Sequence, residues 1–438
     1  MPIPIRKLIA IGIVLCFFLP LGGCYDATEI DEEVYALVIG VDKGVNNMVR
    51  ITFQYATYKD GGGGKAGGGG SDGGGSEESG EVDGTIVSTV EASSLLGAIN
   101  LLDAAVNRQI SLMHAKMLVF SEEYAREGIA RYVEPLARFR EVREFMRVVV
   151  CKGKAEDFIM ENKTFIGTNS AKNIELMFEQ SKNSGYFPDV FFNDFYIALL
   201  APYGQSCAIY AGVNDFQHFP QDTGGKNPPL NTKQDMEPGD IPRKGGTKNE
   251  LFGTVVFDGD KMVGSLTPDE TRFFLMGIGE FRRGFFVLED PEKPGFIFVI
   301  EAELSKSPKM KGNMEGGRPV LDLELTLDAD IVSIQSRNSY ENLDHIKGLE
   351  KIIEDYFTTG LTKTIERTQQ EWNSDIFHFG KKIAGEFQTI QEFEQYNWLS
   401  HYKEAKISTQ VNVNLRRSGY IYEAKPIRGT SEGGQGST

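Results

Sequence analysis

Residues 116–151 read KMLVFSEEYAREGIARYVEPLARFREVREFMRVVVC, and this stretch decides the fold class. An apolar strand is predicted at Lys116 to Phe120 and a second one at Glu144 to Cys151. Between them, Ser121 can cap a helix whose apolar face extends to Val133. A crossover of this length predicts a right-handed βαβ unit with parallel strands. Residues 24–212 are therefore predicted to form mixed α/β structure, in one or more domains.

The residues before this unit predict antiparallel strands, one helix and one long loop. Residues 34–41 are nearly all apolar and residues 49–58 alternate, with a short polar turn between them. Apolar side chains at helical spacing predict a helix over 94–106. Residues 61–80 contain 12 glycines. We therefore predict that the segment 60–84 is a disordered loop, because it can bury no apolar surface.

The second half predicts a further α/β unit after a polar connection. Prolines are frequent in residues 213–250, which we interpret as an interdomain linker or a surface excursion. A C-terminal α/β domain is expected over 251–420, followed by a flexible tail at 421–438. Its predicted elements are a hairpin at 251–266, a helix capped by Thr267, strands at 296–304 and 320–332, a long helix at 343–371, a second helix from Ser374 and a closing strand at 407–416. The whole chain is thus predicted to be a multi-domain, mixed α+β protein in which helices pack on mixed sheets.

The N-terminus has the features of a bacterial lipoprotein signal. Two basic residues precede the apolar stretch Leu8 to Leu21, which is shorter than the roughly 20 residues that span a bilayer. Gly22 and Gly23 follow, and then Cys24, whose thiolate can take up a diacylglycerol. We predict that residues 1–23 are a signal peptide that is removed. Cys24 then becomes an N-palmitoyl, S-diacylglycerol cysteine that holds the protein on a bilayer.

The charge of the chain argues against nucleic acid as a partner. The formal net charge is −16, and removal of the basic leader makes the mature chain more acidic. Such a surface disfavours nucleic acid and general adhesion to anionic lipid. The acyl chains on Cys24 are therefore expected to do the anchoring.

No catalytic, cofactor or metal site is recognisable in the sequence. No two histidines lie closer than 23 residues, and they are His114, His218, His345, His378 and His401. Zinc-ligand spacings, nucleotide fingerprints and nucleophile elbows are missing. We therefore predict no enzyme activity, no cofactor and no bound metal. For Cys151, a buried unpaired thiol is favoured over a disulfide with Cys207.

The segment 138–144, RFREVRE, is basic within this acidic chain. It can be a contact with lipid headgroups or with an acidic partner. It can also be an exposed helix end, and the interleaved Glu141 and Glu144 favour that interpretation.

An ordered set of short segments resembles one protein family. The segments are GCYD at 23–26, IGVD at 39–42, HAK at 114–116, SEEYAREG at 121–128, VVCKGKA at 149–155, GTVVF at 253–257, ETR at 270–272, SDIF at 374–377, FG at 379–380 and VNVNLRRSG at 411–419. As a set they look like the Ger(x)C family, the lipoprotein C subunit of spore germinant receptors in endospore-forming bacteria. Tyr25 stands where the family usually has tryptophan, which keeps an aromatic side chain beside the lipidated cysteine.

The resemblance implies a non-catalytic receptor subunit that is needed for nutrient-triggered germination. It implies an anchor at Cys24 in the inner spore membrane, on the extracytoplasmic side, and membrane-embedded A and B subunits as partners. No family motif marks a ligand pocket, so Cys24 alone carries over as a functional residue. The alternative is a membrane-tethered solute-binding lipoprotein of a transport system, a class with two similar, doubly wound lobes.

Overall fold

A computed structural model describes residue 4 and residues 32–46, 48–56, 81–82, 85–163, 169–219, 232–336, 340 and 343–417. The lipobox, Cys24, most of the predicted loop 60–84 and the tail 421–438 lie outside the described residues. The described residues form two β-sheets with helices packed on them. The predicted mixed α+β class is therefore confirmed.

The first sheet has ten strands in the order β10-β9-β8-β7-β6-β1-β2-β4-β3, with β5 beside the start of β1. The strands are β1 Glu33–Lys43, β2 Val49–Ala56, β3 Glu81–Val82, β4 Thr85–Ala92, β5 Gln109–Ser111, β6 Met117–Ser121, β7 Arg147–Cys151, β8 Cys207–Val213, β9 Asn249–Asp258 and β10 Lys261–Leu266. Strands β1, β6, β7 and β8 run parallel, and β2 and β9 flank them antiparallel. The parallel pairing of β6 with β7 and the hairpin of β1 with β2 were both predicted and are confirmed. Residues 81–82 were predicted to lie in the loop 60–84, but they form β3 and pair with β4.

Helices cover both faces of this sheet. They are α1 Leu95–Asp103, α2 Glu122–Glu127, α3 Ala130–Arg138, α4 Ala155–Met160, α5 Ser170–Glu179, α6 Ser181–Ser184 and α7 Phe192–Leu200. One apolar core packs α1, α2, α3 and α7 on one face, and a second core packs α4 and α5 on the other. Successive strand side chains point to opposite faces, so the central strands are apolar at nearly every position.

The predicted single crossover helix is two helices. Gly128 has φ +124°, a conformation that cannot continue a helix. The chain restarts at α3 because Asp260 binds the next two amides: the Ile129 N–H donates to its carbonyl oxygen at 3.0 Å and the Ala130 N–H to its carboxylate at 3.1 Å.

The second sheet has five strands, ordered β11-β12-β14-β13, with β15 parallel to β14 along its other edge. Its strands are β11 Arg283–Glu289, β12 Ile297–Leu304, β13 Lys309–Glu315, β14 Arg318–Ile334 and β15 Lys406–Arg417. The helices of this half are α8 Pro268–Ile278, α9 Leu343–Arg367 with a π turn over Thr368–Trp372, α10 Gly380–Ile383, α11 Ile390–Tyr396 and α12 Trp398–His401. β14 alternates between buried and wetter positions, as a strand with one covered face does.

The third apolar core lies between this sheet and its helices. Leu349, Ile353 and Phe357 of α9 pack with the inward side chains of β14. The predicted capping box at the start of α8 is confirmed: the Glu270 N–H donates to Thr267 Oγ1 at 3.3 Å, and the Thr267 N–H donates to Glu270 Oε2 at 2.8 Å.

Two predicted details differ from the structure. The helix expected from Ser374 begins only at Gly380, because residues 374–379 form a buried loop. The segment 213–250, expected to be an interdomain linker or a surface excursion, connects β8 to β9, which are neighbours in one sheet. This topology contradicts the linker and agrees with the surface excursion. The described part of the segment packs on that sheet, since the buried Glu250 carboxylate accepts bonds from the Gly239 N–H and the Asn214 side chain, each at 2.7 Å. The hairpin at 251–266 therefore belongs to the first sheet.

Candidate functional site: two buried aspartates and the junction of the halves

Several of the segments that carry the family resemblance, among them 39–42, 149–155, 270–272 and 374–380, lie at two places in the fold. The first, the strand-end node, consists of Gly40 and Asp42 at the end of β1 with Ala155 and Glu156 at the start of α4. The second, the junction, consists of residues 374–380 and Arg272 with the parts of the first half that they contact. Each place is built around polar groups that are almost completely buried.

At the strand-end node, the Asp42 carboxylate caps a helix. It accepts the Ala155 N–H at 2.8 Å and the Glu156 N–H at 2.9 Å. Burial raises the pKa of Asp42, while these backbone bonds oppose the rise. Gly40 lets α4 lie close to the sheet, because a Cβ there would come within 2.5 Å of Ile159 Cδ1. The node therefore fixes α4 against the end of β1.

A polar cavity of about 370 Å³ opens beside Asp42. Three of its four lining cations pair with carboxylates, and the fourth is Lys154. Arg50 binds Glu91 at 2.8 Å, and Arg126 binds Glu122 at 2.7 Å. Lys43 likewise contacts Glu123 and Glu127. Most of the positive charge of this cavity is therefore paired with carboxylates of the chain itself.

At the junction, the Asp375 carboxylate is fully buried and accepts three hydrogen bonds. The donors are the Phe379 N–H at 3.1 Å, the Gly380 N–H at 3.0 Å and the Trp398 indole N–H at 2.8 Å. Burial raises the pKa of Asp375 to about 6, against the opposing effect of these donors. This one side chain holds the loop 374–379, the start of α10 and the α12 tryptophan together.

The same loop is bonded to the first half of the chain. The Ser374 hydroxyl donates to the Phe257 carbonyl at 2.6 Å, and the Gln205 N–H donates to the Asp375 carbonyl at 2.9 Å. His378 Nε2 lies 3.1 Å from the Gln205 carbonyl. Burial lowers the pKa of His378, which favours the neutral ring at pH 7.

Arg272 on α8 forms the second connection between the halves. Its Nε donates to the Ser184 carbonyl at 2.8 Å, and its Nη1 donates to the Phe285 carbonyl at 2.8 Å. The guanidinium lies over the rings of Tyr186 and Phe286, at 4.1 and 4.4 Å from their centroids. Burial lowers the pKa of Arg272. The planar guanidinium therefore joins α6 of the first half to β11 of the second.

A cleft of about 570 Å³ lies between the halves next to this junction. Phe195, Phe274 and Phe377 supply apolar walls, while Glu280 and Lys381 contribute charges of both signs. The Lys381 ammonium lies 4.8 Å from the centroid of the Tyr203 ring. The cleft thus presents mixed chemistry, without a concentration of groups of one kind.

The structure confirms one prediction about the cysteines and does not test the other. Cys24 lies outside the described residues, so its lipidation stays a prediction. Cys151 is a buried free thiol, as predicted, and burial raises its pKa; Cys207 is also free and half-buried. His114 packs edge-on against the Tyr35 ring, with 4.5 Å between the ring centroids.

The described part of the chain has neither a cluster of metal-binding side chains nor a helix suited to cross a membrane. It contains no group of three or more histidine, cysteine, aspartate or glutamate side chains arranged to hold a metal ion. Among the described helices, none combines the length and the apolar character that crossing a bilayer requires.

Two family models match the chain in order. The model described as "Spore germination protein N-terminal domain" matches residues 26–213, and the model described as "Spore germination B3/ GerAC like, C-terminal" matches residues 252–419. The chain therefore belongs to the Ger(x)C family of spore germination proteins. Its motifs resemble the same family.

The chain is also similar to two named proteins and to one solved structure. The "Putative spore germination protein YfkR" of Bacillus subtilis (strain 168) is 20% identical over 417 residues, which cover 94% of this chain and 96% of that protein. "Spore germination protein B3" of the same organism is 20% identical over 413 residues, with 94% and 98% covered. The solved structure titled "Crystal Structure of the GerBC protein" is 16% identical, with a TM-score of 0.47, and covers 86% of this chain and 96% of that chain.

Proposed function

We propose that this chain is the membrane-anchored C subunit of a nutrient germinant receptor and that it is needed for nutrient-triggered spore germination. The observation that carries the proposal is the pair of family matches, which follow each other in order from residue 26 to residue 419. Relatives named for spore germination that align over 94% of the chain support it further.

The anchor in this proposal is Cys24, as an N-palmitoyl, S-diacylglycerol cysteine. Two or more acyl chains hold a protein stably on a bilayer, where a single chain does not. The chain would thus face the extracytoplasmic side of the inner spore membrane, beside the membrane-embedded A and B subunits. Its mature part would begin at residue 24, followed by the polypeptide of the first sheet.

The subunit acts without catalysis in this proposal. The buried polar groups of both nodes are used in internal bonds: Asp42 and Asp375 each accept backbone amides, and Arg272 donates to backbone carbonyls. Such groups set the positions of helices and of the two halves, which is what an assembly or signalling subunit requires.

The alternative, a solute-binding lipoprotein, fits the described fold less well. The first sheet has a parallel centre with helices on both faces, whereas the second sheet is antiparallel apart from the pairing of β14 with β15. Two similar, doubly wound lobes are therefore not what the described residues form. A screen of the mature chain for thermal stabilisation by amino acids, sugars and nucleosides tests this alternative, since tight binding raises the melting temperature.

Deletion of the gene tests the receptor role. Spores without it are expected to lose germination with at least one nutrient, while germination by a direct chemical trigger continues. A plasmid copy of the gene should restore the lost response. Normal germination of the deletion strain with every nutrient to which the parent responds would count against the proposal.

The anchor is tested separately by Cys24→Ala. This variant should fold normally, leave the membrane fraction and respond weakly to nutrients, because it no longer stands beside its partners. A variant that stays in the membrane fraction and responds fully would contradict the role of Cys24.

A further inference from the structure

We propose that one edge of the first sheet rests on an anionic bilayer. This strand-start edge consists of residues 32–33, Arg108 and the loops 112–116 and 139–146, which precede the starts of β1, β5, β6 and β7. The inference rests on the proposed anchor at Cys24, since that anchor brings the start of β1 to the membrane.

The parallel pairing brings these segments together. β1, β5, β6 and β7 all run the same way, so their first residues lie along one edge. The loops that enter β6 and β7 touch each other: the Leu112 N–H donates to Glu141 Oε2 at 3.0 Å, and the Arg147 N–H donates to the Lys116 carbonyl at 2.9 Å. These two loops therefore form a continuous surface on this edge.

Two large apolar side chains on this edge face solvent. Phe145 is 70% exposed, the highest value among the exposed large apolar side chains of the described residues, and Met113 is 41% exposed. The Phe145 ring packs edge-on against Phe191 at 6.0 Å between centroids. A positioned, outward-facing aromatic ring is a typical feature of a surface that meets a membrane interface.

The same edge carries three exposed arginines, Arg108, Arg140 and Arg143. Within the described part of the chain, no carboxylate lies within ion-pair distance of Arg108, Arg140 or Arg143. Two nearby acids have other partners: Glu141 accepts the Leu112 amide, and Glu134 pairs with Arg138 at 2.8 Å. The other acids near this edge are Glu32, Glu33 and Glu144. A chain of net charge −16 thus presents free arginines where lipid phosphates can bind them.

The length of the connection to Cys24 selects this edge over the opposite one. Eight peptide steps separate Cys24 from Glu32, and an extended chain of that length spans at most about 29 Å. β1 itself has 11 residues and measures about 36 Å. When the strands stand perpendicular to the bilayer, the connection is long enough for the start of β1 to lie on the bilayer. It is shorter than β1, so it cannot bring Val45, at the far end of β1, to the bilayer instead.

The test compares the two ends of the sheet on a tethered chain. Residues 24–438 with Cys24→Ser are attached through an N-terminal hexahistidine tag to vesicles that contain nickel-chelating lipid and phosphatidylglycerol, so that tethering does not depend on lipidation. A fluorophore is placed at Phe145→Cys or, as the matched control, at Val45→Cys, which is 55% exposed at the opposite end. The chain without either new cysteine gives the background from Cys151 and Cys207.

We expect spin-labelled lipid to quench the fluorophore at position 145 about threefold more strongly than at position 45. Arg140→Glu with Arg143→Glu should at least halve the quenching at 145, and Lys154→Glu at the far end of β7 should leave it unchanged. Equal quenching at 145 and 45 would overturn the proposal and leave this edge for a protein partner. Flotation of the native chain with membranes tests the Cys24 anchor separately. The vesicle result does not depend on that anchor, because the hexahistidine tag supplies the tether.

Discussion

Asp42 and Asp375 use the same device in two regions of the molecule. Each is a buried aspartate that accepts two consecutive backbone amides at the start of a helix, α4 in one case and α10 in the other. Burial raises the pKa of both. Asp42 organises one end of the first sheet, whereas Asp375 organises the loop that joins the second half to the first.

The two carboxylates differ in their access to water, and this difference decides how much each contributes to the free energy of unfolding. A cavity open to the surface lies beside Asp42, so water can reach the amides if the carboxylate is removed. Asp375 is 0% exposed, and Trp398, its third donor, is 0% exposed as well. The same hydrogen bonds are therefore harder to replace at the junction.

Removal of each carboxylate should separate the two regions most clearly. Asp375→Ala leaves three buried donors without an acceptor and should lower the free energy of unfolding by about 4 kcal/mol. Asp42→Ala should cost about 2 kcal/mol, because water can replace part of the lost bonding. Urea unfolding of both variants measures the difference. Equal losses would mean that burial does not distinguish the two nodes.

The junction should contribute a pH dependence to the stability of the chain. The pKa of Asp375 rises from its ordinary value of 3.8 to about 6 on folding. The folded state therefore holds this proton more tightly, and the resulting stabilisation is complete below about pH 4 and lost as the pH rises through about 6, a change of about 3 kcal/mol.

Asp375→Asn provides the control for this pH effect, because it keeps the shape of the side chain and removes its titration. The unfolding free energy of the wild type minus that of Asp375→Asn should fall between pH 4 and pH 6 and then level off. A difference that rises over this range would show that the three donors outweigh burial.

Alanine at two glycines compares how tightly each node is packed. At Gly380, a new Cβ would clash with the Tyr203 carbonyl oxygen and the Trp398 indole, neither of which can move easily. At Gly40, it would meet the movable end of Ile159. We expect a loss of about 3 kcal/mol for Gly380→Ala and about 1 kcal/mol for Gly40→Ala, measured as shifts in the urea midpoint. The reverse order would be inconsistent with the junction as the more rigid node.

Replacement of an arginine by lysine should again cost more at the junction than on the surface. Arg272→Lys removes the planar group that joins Ser184 to Phe285 and should cost about 2 kcal/mol. Arg416→Lys is the control on the wet face of the second sheet, where Arg416 pairs with Glu303 at 2.8 Å and is 42% exposed. That change should cost less than about 0.5 kcal/mol and vanish in high salt. Similar losses for the two variants would argue against Arg272 as a connection between the halves.

Local patterns predicted much of the fold. The apolar runs of β6 and β7, the Thr267 capping box and the alternation of β15 all depend on residues close together in sequence, so periodicity and capping chemistry identify them. β11 and β13 escaped prediction. β13 carries apolar side chains only at Met310 and Met314 and alternates with polar residues.

Local sequence patterns could not predict the strand-end node or the junction. Asp42 contacts Ala155 across 113 residues, and Ser374 contacts Phe257 across 117. An aspartate that caps a distant helix looks in sequence like any surface acid. Only the family resemblance marked these segments, and it gave no physical role for Asp42, Arg272 or Asp375. Burial and hydrogen-bond geometry supply that role.

The receptor role of this chain is tested most directly by purification from dormant-spore membranes. A tagged, full-length chain extracted in mild detergent should bring the A and B subunits with it in comparable amounts, and Cys24→Ala should reduce their recovery. Recovery of the chain alone, or with the permease of a transport system in place of A and B, would contradict its assignment as a germinant receptor subunit.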